Sequence, residues 1–135
     1  MQTVSLDRWI DAEPAPVQAA MEDLGRFMRA AGFDEVTVDG DSIHIENSVG
    51  IFAIELDLDL LEDGDLAYEQ RDGIFREMTT VYDLAAEEGG TRVTATTDFE
   101  LAAAFAGPVL DATVVKRQRK RELRGQFDYL EARAE

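Results

Sequence analysis

Polar side chains with hydrogen-bonding or acid–base capacity are interleaved with apolar ones between residues 52 and 101. The apolar residues there recur with a period of two, which is the spacing of β-strands that bury one face. An apolar lining with a few convergent polar groups is typical of a small-molecule site. We therefore predict a ligand-binding set from the residues that share the inward face: Phe52, Ile54, Leu56, Tyr68, Gln70, Arg76, Met78, Thr80, Tyr82, Thr97 and Phe99.

Three members of this set could take part in chemistry. If Arg76 points inward, its desolvated guanidinium needs an anionic partner, which a carboxylate or phenolate on a ligand would supply. The alternative is that Arg76 bulges outward or pairs with Glu69 or Glu77 at the sheet surface. The hydroxyls of Tyr68 and Tyr82 could polarise a carbonyl, but buried tyrosines are more often core residues whose hydroxyls reach the rim. We therefore assign no catalytic residue.

His44 is the single histidine, and its ordinary pKa near neutrality makes it a candidate general base. It alternates with Ile43 and Ile45, so it faces solvent if those two residues face the core. Asp57 and Asp59 lie at outward positions of the next strand by the same parity. The chain has no cysteine and one histidine, so we predict neither a metal site nor a cofactor.

A run of basic residues, Lys116-Arg117-Gln118-Arg119-Lys120-Arg121, stands out in an otherwise acidic chain. One interpretation is an anion site near the mouth of a cavity, or a docking face for an acidic partner. The other is that these side chains pair with acids on the sheet and with Glu122 while their stems cover apolar surface. Nucleic-acid binding is disfavoured, because no aromatic residue interleaves with the run and the overall charge opposes it.

The overall charge is strongly negative, with 29 Asp and Glu against 13 Lys and Arg and a formal net charge of −16 in 135 residues. Only two of the cations, Lys116 and Lys120, are lysines. A scattered acidic surface with few lysines resembles proteins of salt-accumulating halophiles, where screening removes the self-repulsion. No stretch is apolar and long enough for a membrane span, and the first residues do not resemble a secretory signal. We expect one cytoplasmic domain over residues 1–135, with no stable membrane insertion and an undetermined oligomeric state.

The elements that position these residues are predicted as a strand, two short helices, six strands and a long helix. The two helices meet near Asp23-Leu24-Gly25, because glycine is poor in a helix interior. From Phe33 the period changes to two, and short turns at 39–41, 47–50, 62–65, 72–73 and 87–90 join the strands into an antiparallel meander. The last strand, 91–101, passes through Ala106-Gly107-Pro108 into a helix with one apolar seam: Val109, Ala112, Thr113, Leu123, Phe127 and Leu130.

This layout resembles the START-like, or SRPBCC, superfamily, and most closely its polyketide cyclase/dehydrase and lipid-transport branch. The resemblance rests on the opening at 4–17, Val-Ser-Leu-Asp-Arg-Trp-Ile-Asp-Ala-Glu-Pro-Ala-Pro-Val, on Gly-Gly-Thr-Arg-Val-Thr-Ala-Thr-Thr at 89–97 and on Gly-Pro at 107–108. It implies an α+β helix-grip fold, in which a curved seven-stranded antiparallel sheet wraps around the C-terminal helix and encloses an apolar cavity. The loop after the first helices lacks the Trp and Pro pair of many members, so the mouth of the cavity is expected to differ.

The resemblance and the residues together leave three functions open. The first is binding, transport or sequestration of a hydrophobic small molecule such as a lipid or polyketide, with an anionic group as one option. The second is a cyclase/dehydrase-like enzyme that acts on a hydrophobic carbonyl substrate. The third is a protein-interaction module with a vestigial cavity. A shared fold does not choose among them.

Overall fold

The computed structural model of the protein describes residues 1–103 and 110–135. The elements follow the order predicted from the sequence: β1 (Gln2–Ile10), α1 (Pro14–Glu22), α2 (Leu24–Arg29), β2 (Glu35–Asp39), β3 (Ser42–Val49), β4 (Phe52–Leu61), β5 (Leu66–Asp72), β6 (Phe75–Glu87), β7 (Gly90–Leu101) and α3 (Ala112–Ala134). The predicted break between α1 and α2 is confirmed at Asp23.

All seven strands form one antiparallel sheet in the order β1-β7-β6-β5-β4-β3-β2. The first strand pairs with the last, so that Val4 lies opposite Thr97, and the remaining strands form a meander. The register shifts between Asp57 and Leu58 on β4 and between Phe75 and Glu77 on β6. An extra residue on one strand of a pair bends that strand and increases its twist. The predicted fold class, a seven-stranded sheet with a long C-terminal helix, is confirmed.

One predicted turn is wrong. Residues 47–49 continue β3 instead of turning, because they pair with β4 up to Val49 opposite Phe52. The hairpin turns at Gly50 and Ile51, and Gly50 takes the positive φ of 61° that this tight connection requires. The longer strand places Asn47 and Val49 beside the interior of the protein.

Helix α3 lies against the sheet with a buried seam that differs from the predicted one. Asp111 caps its N-terminus, and the Asp111 carboxylate accepts a hydrogen bond from the backbone N–H of Val114 at 3.0 Å. Thr113 is exposed, so its predicted place in the apolar seam is wrong. The predicted connection through Ala106-Gly107-Pro108 and Val109 lies outside the described residues. The seam observed combines four apolar residues with three polar ones: Val115, Arg119, Glu122, Leu123, Gln126, Phe127 and Leu130.

Candidate functional site

A cavity of about 60 Å³ lies between the sheet and the first half of α3. Its walls come from β3 to β7, from the segment after α2 and from three successive turns of α3. Most of the lining is apolar: Phe33, Ile45, Val49, Ile54, Leu56, Leu58, Ile74, Phe75, Met78, Phe99 and Val115. The remaining lining residues are polar and belong to one hydrogen-bonded cluster: Asn47, Tyr68, Thr97, Gln118, Arg119 and Glu122.

Arg119 is the centre of the cluster of polar groups, although only 8% of its surface is exposed. Its Nε donates to the Thr97 hydroxyl at 2.9 Å, and its Nη2 donates to the Tyr68 hydroxyl at 2.6 Å. Its Nη1 donates to Glu122 Oε1 at 3.0 Å, an ion pair between residues one helical turn apart. Burial disfavours the charge, but the Tyr68, Tyr82 and Glu122 oxygens around the guanidinium raise the Arg119 pKa above its ordinary value. Arg119 is therefore a buried, fixed cation.

Glu122 is buried as well, with 6% of its surface exposed. Its Oε1 accepts from Arg119, while its Oε2 accepts from the amide nitrogens of Asn47 at 3.0 Å and Gln118 at 3.2 Å. Both oxygens of the carboxylate are therefore occupied by donors. The ion pair brings two opposite charges to the cavity wall and adds no net charge there.

Two tyrosines extend the network away from the cavity. The Tyr68 hydroxyl lies 3.2 Å from that of Tyr82, and Tyr82 donates to Gln126 Oε1 at 2.6 Å. The Gln126 amide donates in turn to the backbone carbonyl of Phe27 on α2 at 3.3 Å. Complete burial raises the pKa of Tyr82 well above its ordinary value, so the hydroxyl stays protonated. Among the described residues, every buried side-chain nitrogen and oxygen has a partner.

The structure places six of the eleven predicted site residues on the cavity: Ile54, Leu56, Tyr68, Met78, Thr97 and Phe99. Thr80 and Tyr82 face the same way but lie behind the lining. Both are fully buried, Thr80 bonds to Thr97 at 2.8 Å, and the Nη2 of Arg119 lies 3.2 Å from the Tyr82 hydroxyl. Whether these residues contact a ligand stays a prediction.

The predicted inward orientation is wrong for Arg76. The register shift inserts Arg76 between Phe75, opposite Leu101, and Glu77, opposite Glu100, so the alternation fails there. Phe75 takes the inward position and Arg76 is exposed to solvent. This matches the alternative in which Arg76 bulges outward.

Phe52 and Gln70 do not line the cavity either. Phe52 lies at the tip of the β3–β4 hairpin, where 38% of its surface is exposed. The Gln70 side-chain amide donates to the Phe75 carbonyl at 2.8 Å and accepts from the Phe75 N–H at 3.0 Å. These two hydrogen bonds stabilise the β5–β6 connection. Strand parity assigns a face to each residue. It does not predict that Phe52 is exposed at the start of a strand, or that the Gln70 side chain hydrogen-bonds to the backbone of a turn.

The predicted site lacks the polar residues that α3 and β3 contribute to the cavity. In the sequence-based prediction, Arg119 belongs to the basic run and Glu122 is only a partner of that run. A usable signal was present, because Arg119 and Glu122 are three residues apart and share a helical face with Val115 and Leu123. Charged residues within an apolar seam indicate a buried pair, because an isolated buried charge is strongly disfavoured.

Five cations of α3 lie on either side of Arg119 and do not line the cavity. They are Lys116, which is half-buried, and Arg117, Lys120, Arg121 and Arg124, which are exposed. In the part of the chain that the structure describes, none of the five forms an ion pair with a carboxylate. The predicted pairing of the basic run with Glu122 is therefore found for Arg119 alone, and among the described residues the predicted pairing of the run with acids on the sheet is wrong.

His44 lies on the outer face of the sheet, as its parity predicts. Its Nδ1 is 2.7 Å from Asp57 Oδ1, and this hydrogen bond raises the pKa of His44 above its ordinary value. In the described ranges, His44, Glu46 and Glu55 bring potential metal-ligand atoms within 4.8 Å of one another. This group lies on the opposite side of the sheet from the cavity, and exposed acids are abundant in this chain.

Comparison with solved structures identifies the architecture. A protein from Thermus thermophilus superimposes with a TM-score of 0.74 at 19% identity, over 98% of this chain and 97% of its own. The Zhui aromatase/cyclase from Streptomyces sp. R1128 gives a TM-score of 0.71 at 18% identity, over 99% and 96%. A START superfamily protein from Mycobacterium smegmatis gives 0.65 at 13% identity, over 98% and 96%. The chain has the START-like helix-grip fold.

At these identities the likeness extends to the START-like fold and no further. No family model matches the chain, and no curated protein matches it in sequence. None of the helices within residues 1–103 and 110–135 combines the length and the apolar character that a membrane crossing requires.

Proposed function

We propose that the protein binds a hydrophobic small molecule between the sheet and α3, with the polar end of the ligand directed at Tyr68 and Arg119. One observation carries the proposal: the apolar walls of the cavity end on a single buried polar cluster. The START-like fold supports it, because this fold is shared with a protein named as an aromatase/cyclase and with one named as a START superfamily protein.

The stability of the fold does not require the buried polar cluster on the cavity wall. Replacing a buried ion pair by apolar residues of similar volume is often neutral or stabilising, so such a pair is weak evidence for a purely structural role. Here the pair of Arg119 and Glu122 is joined by further buried hydroxyl and amide groups. Buried charges in a cavity, next to apolar walls, are typical of functional sites.

The cavity is smaller than an occupied ligand site. Pockets for drug-sized ligands measure roughly 300–1,000 Å³, against about 60 Å³ here. A ligand of that size therefore has to displace lining side chains. Met78 is the natural candidate, because its unbranched side chain adapts to irregular volumes and it lies on the cavity wall.

Mass spectrometry under native conditions tests the proposal directly, because a ligand retained through purification adds its mass to the protein. A titration with the neutral dye Nile red tests it independently. Met78→Trp fills the cavity and should abolish dye binding, whereas Thr79→Trp places the same ring on the opposite face of β6 and should leave it unchanged. Equal binding by both variants, each with cooperative melting, would place the dye outside the cavity.

A second candidate function is cyclase/dehydrase-like catalysis, and one contact favours it. Arg119 donates to the Tyr68 hydroxyl at 2.6 Å, and a tyrosine that accepts a charge-assisted hydrogen bond is a better donor to a substrate carbonyl. Arg76 is exposed to solvent and therefore has no role in this proposed catalysis. If Tyr68→Phe keeps ligand affinity but abolishes turnover of a carbonyl substrate, the protein is an enzyme; unchanged turnover excludes this role for Tyr68.

A further inference from the structure

The charges at the polar end of the cavity sum to zero. Arg119 and Glu122 are the cation and the anion among the described lining residues, and they contact each other at 3.0 Å. Both are buried, so bulk water does not screen their fields as it does at the surface. An anionic ligand group would therefore meet a guanidinium whose charge is already neutralised, with the Glu122 carboxylate close by.

Few donors of Arg119 remain for a ligand. Its Nε–H is committed to Thr97 and its Nη1 to Glu122, while its Nη2 lies within 3.4 Å of three hydroxyls, those of Tyr68, Thr80 and Tyr82. Bidentate binding of a ligand carboxylate needs two parallel N–H donors from one guanidinium. That arrangement would require Arg119 to break at least one of its contacts with Thr97, Glu122 or the tyrosine and threonine hydroxyls.

Tyr68 offers the donor that a ligand can use. Its oxygen accepts from Arg119, so its own proton goes either to the Tyr82 oxygen at 3.2 Å or to an acceptor in the cavity. Turning the proton toward the cavity leaves Tyr82 satisfied, because the Tyr82 oxygen also lies 3.2 Å from Arg119 Nη2 and its hydroxyl donates to Gln126. The cavity can therefore accept a neutral hydrogen-bond acceptor without leaving a buried polar group unpaired.

We infer that the ligand carries a neutral carbonyl on an apolar body, and that Glu122 is the residue that excludes the corresponding carboxylate. This inference rests on the proposed function, since it names the chemical class of the ligand for that same site. It also removes the anionic ligand as an option. Like charges placed side by side at a buried contact disfavour binding strongly, so the preference for the neutral compound should be at least about tenfold.

The experiment compares near-isosteric pairs of neutral and anionic probes: acetophenone with benzoate, and 2-acetylnaphthalene with 2-naphthoate. Dissociation constants are measured at neutral pH by calorimetry or ligand-detected NMR for the wild type, Glu122→Gln and Glu77→Gln. Glu77 is exposed on β6, so its substitution removes the same charge from the protein without changing the cavity. We expect the wild type and Glu77→Gln to prefer the ketones at least about tenfold, and Glu122→Gln to lose or reverse that preference.

The possible outcomes distinguish a failure of this inference from a failure of the proposed function. Carboxylates that bind the wild type as tightly as the ketones overturn the inference alone and leave the binding site in place. Absence of binding by all four probes to all three proteins overturns the proposed function and the inference with it. Glu122→Asp keeps the negative charge and should keep the ketone preference, so it supplies a second comparison if Glu122→Gln does not fold. In that case, loss of the preference in Glu122→Asp also overturns the inference.

Discussion

Replacing Arg119 by methionine should destabilise the protein, because it leaves the buried Glu122 carboxylate without its cation. Methionine retains an unbranched apolar stem but removes the cation from a pair in which both residues are less than 10% exposed. Breaking a buried pair by removing one partner costs about 3–5 kcal/mol. Glu122 keeps two neutral donors, from Asn47 at 3.0 Å and Gln118 at 3.2 Å, so we expect the free energy of unfolding to fall by about 3 kcal/mol.

The double variant Arg119→Met/Glu122→Met separates the ion pair from general packing. It removes both charges, and apolar replacement of a buried pair is often neutral or better. Asn47 and Gln118 then lose an acceptor, at a cost of about 1 kcal/mol each. We therefore expect the double variant to be more stable than Arg119→Met, although it differs from the wild type at one more position.

Urea denaturation measures these differences, provided that the dependence of the unfolding free energy on urea keeps the same slope. Lys120→Met is the matched control, because Lys120 is exposed on the neighbouring position of the helix and its loss should change the free energy by less than about 0.5 kcal/mol. A stabilising ion pair is excluded if Arg119→Met is as stable as this control, or if the loss in the double variant equals the sum of the losses measured for Arg119→Met and for the single variant Glu122→Met.

Three further predictions follow from contacts and charge. Gly125→Ala should lower the melting temperature, because the added Cβ would overlap the carbonyl oxygen of Ala30 on the neighbouring segment. This effect should outweigh the better helix propensity of alanine, and thermal melting measures the difference. Asp57→Asn should move the NMR titration midpoint of His44 down toward 6.5, because the hydrogen bond from Asp57 raises the His44 pKa. The melting temperature of the wild type should rise from about 0.1 M to about 3 M KCl, because salt screens the repulsion within a chain of net charge −16.

The sign of the pH effect at His44 follows from the raised pKa. The protonated histidine is favoured in the folded state. Its contribution to stability is therefore complete below pH 6.5, the pKa of His44 in the unfolded chain, and is lost as pH rises through the higher pKa of His44 in the folded protein.

An unchanged His44 midpoint in Asp57→Asn would contradict the assignment. A Gly125→Ala variant more stable than the wild type would show that α3 can shift away from Ala30. A flat melting temperature across the KCl series would count against the halophilic interpretation of the charge.

The alternation along β4 shows why the fold could be predicted from the sequence. Ile54 and Leu56 alternate with Glu55 and Asp57, and a one-residue slip would expose the apolar pair and bury the acids. Local periodicity and glycine turns therefore fix the register of neighbouring strands. Arg76 shows where local alternation fails, because a single residue inserted on β6 interrupts the alternation and reverses the face that strand parity assigns to Arg76.

The site depended on a different kind of information. Helical period and apolar spacing are local properties, so the sequence alone predicts a long helix with mixed charges after the last strand. The inward turn of Arg119 to Glu122 and Tyr68, alone among the neighbouring cations, depends on tertiary contacts. The rotation of α3 about its own axis depends on contacts far apart in sequence, including the close approach of Gly125 to Ala30 and the hydrogen bond from Gln126 to Phe27.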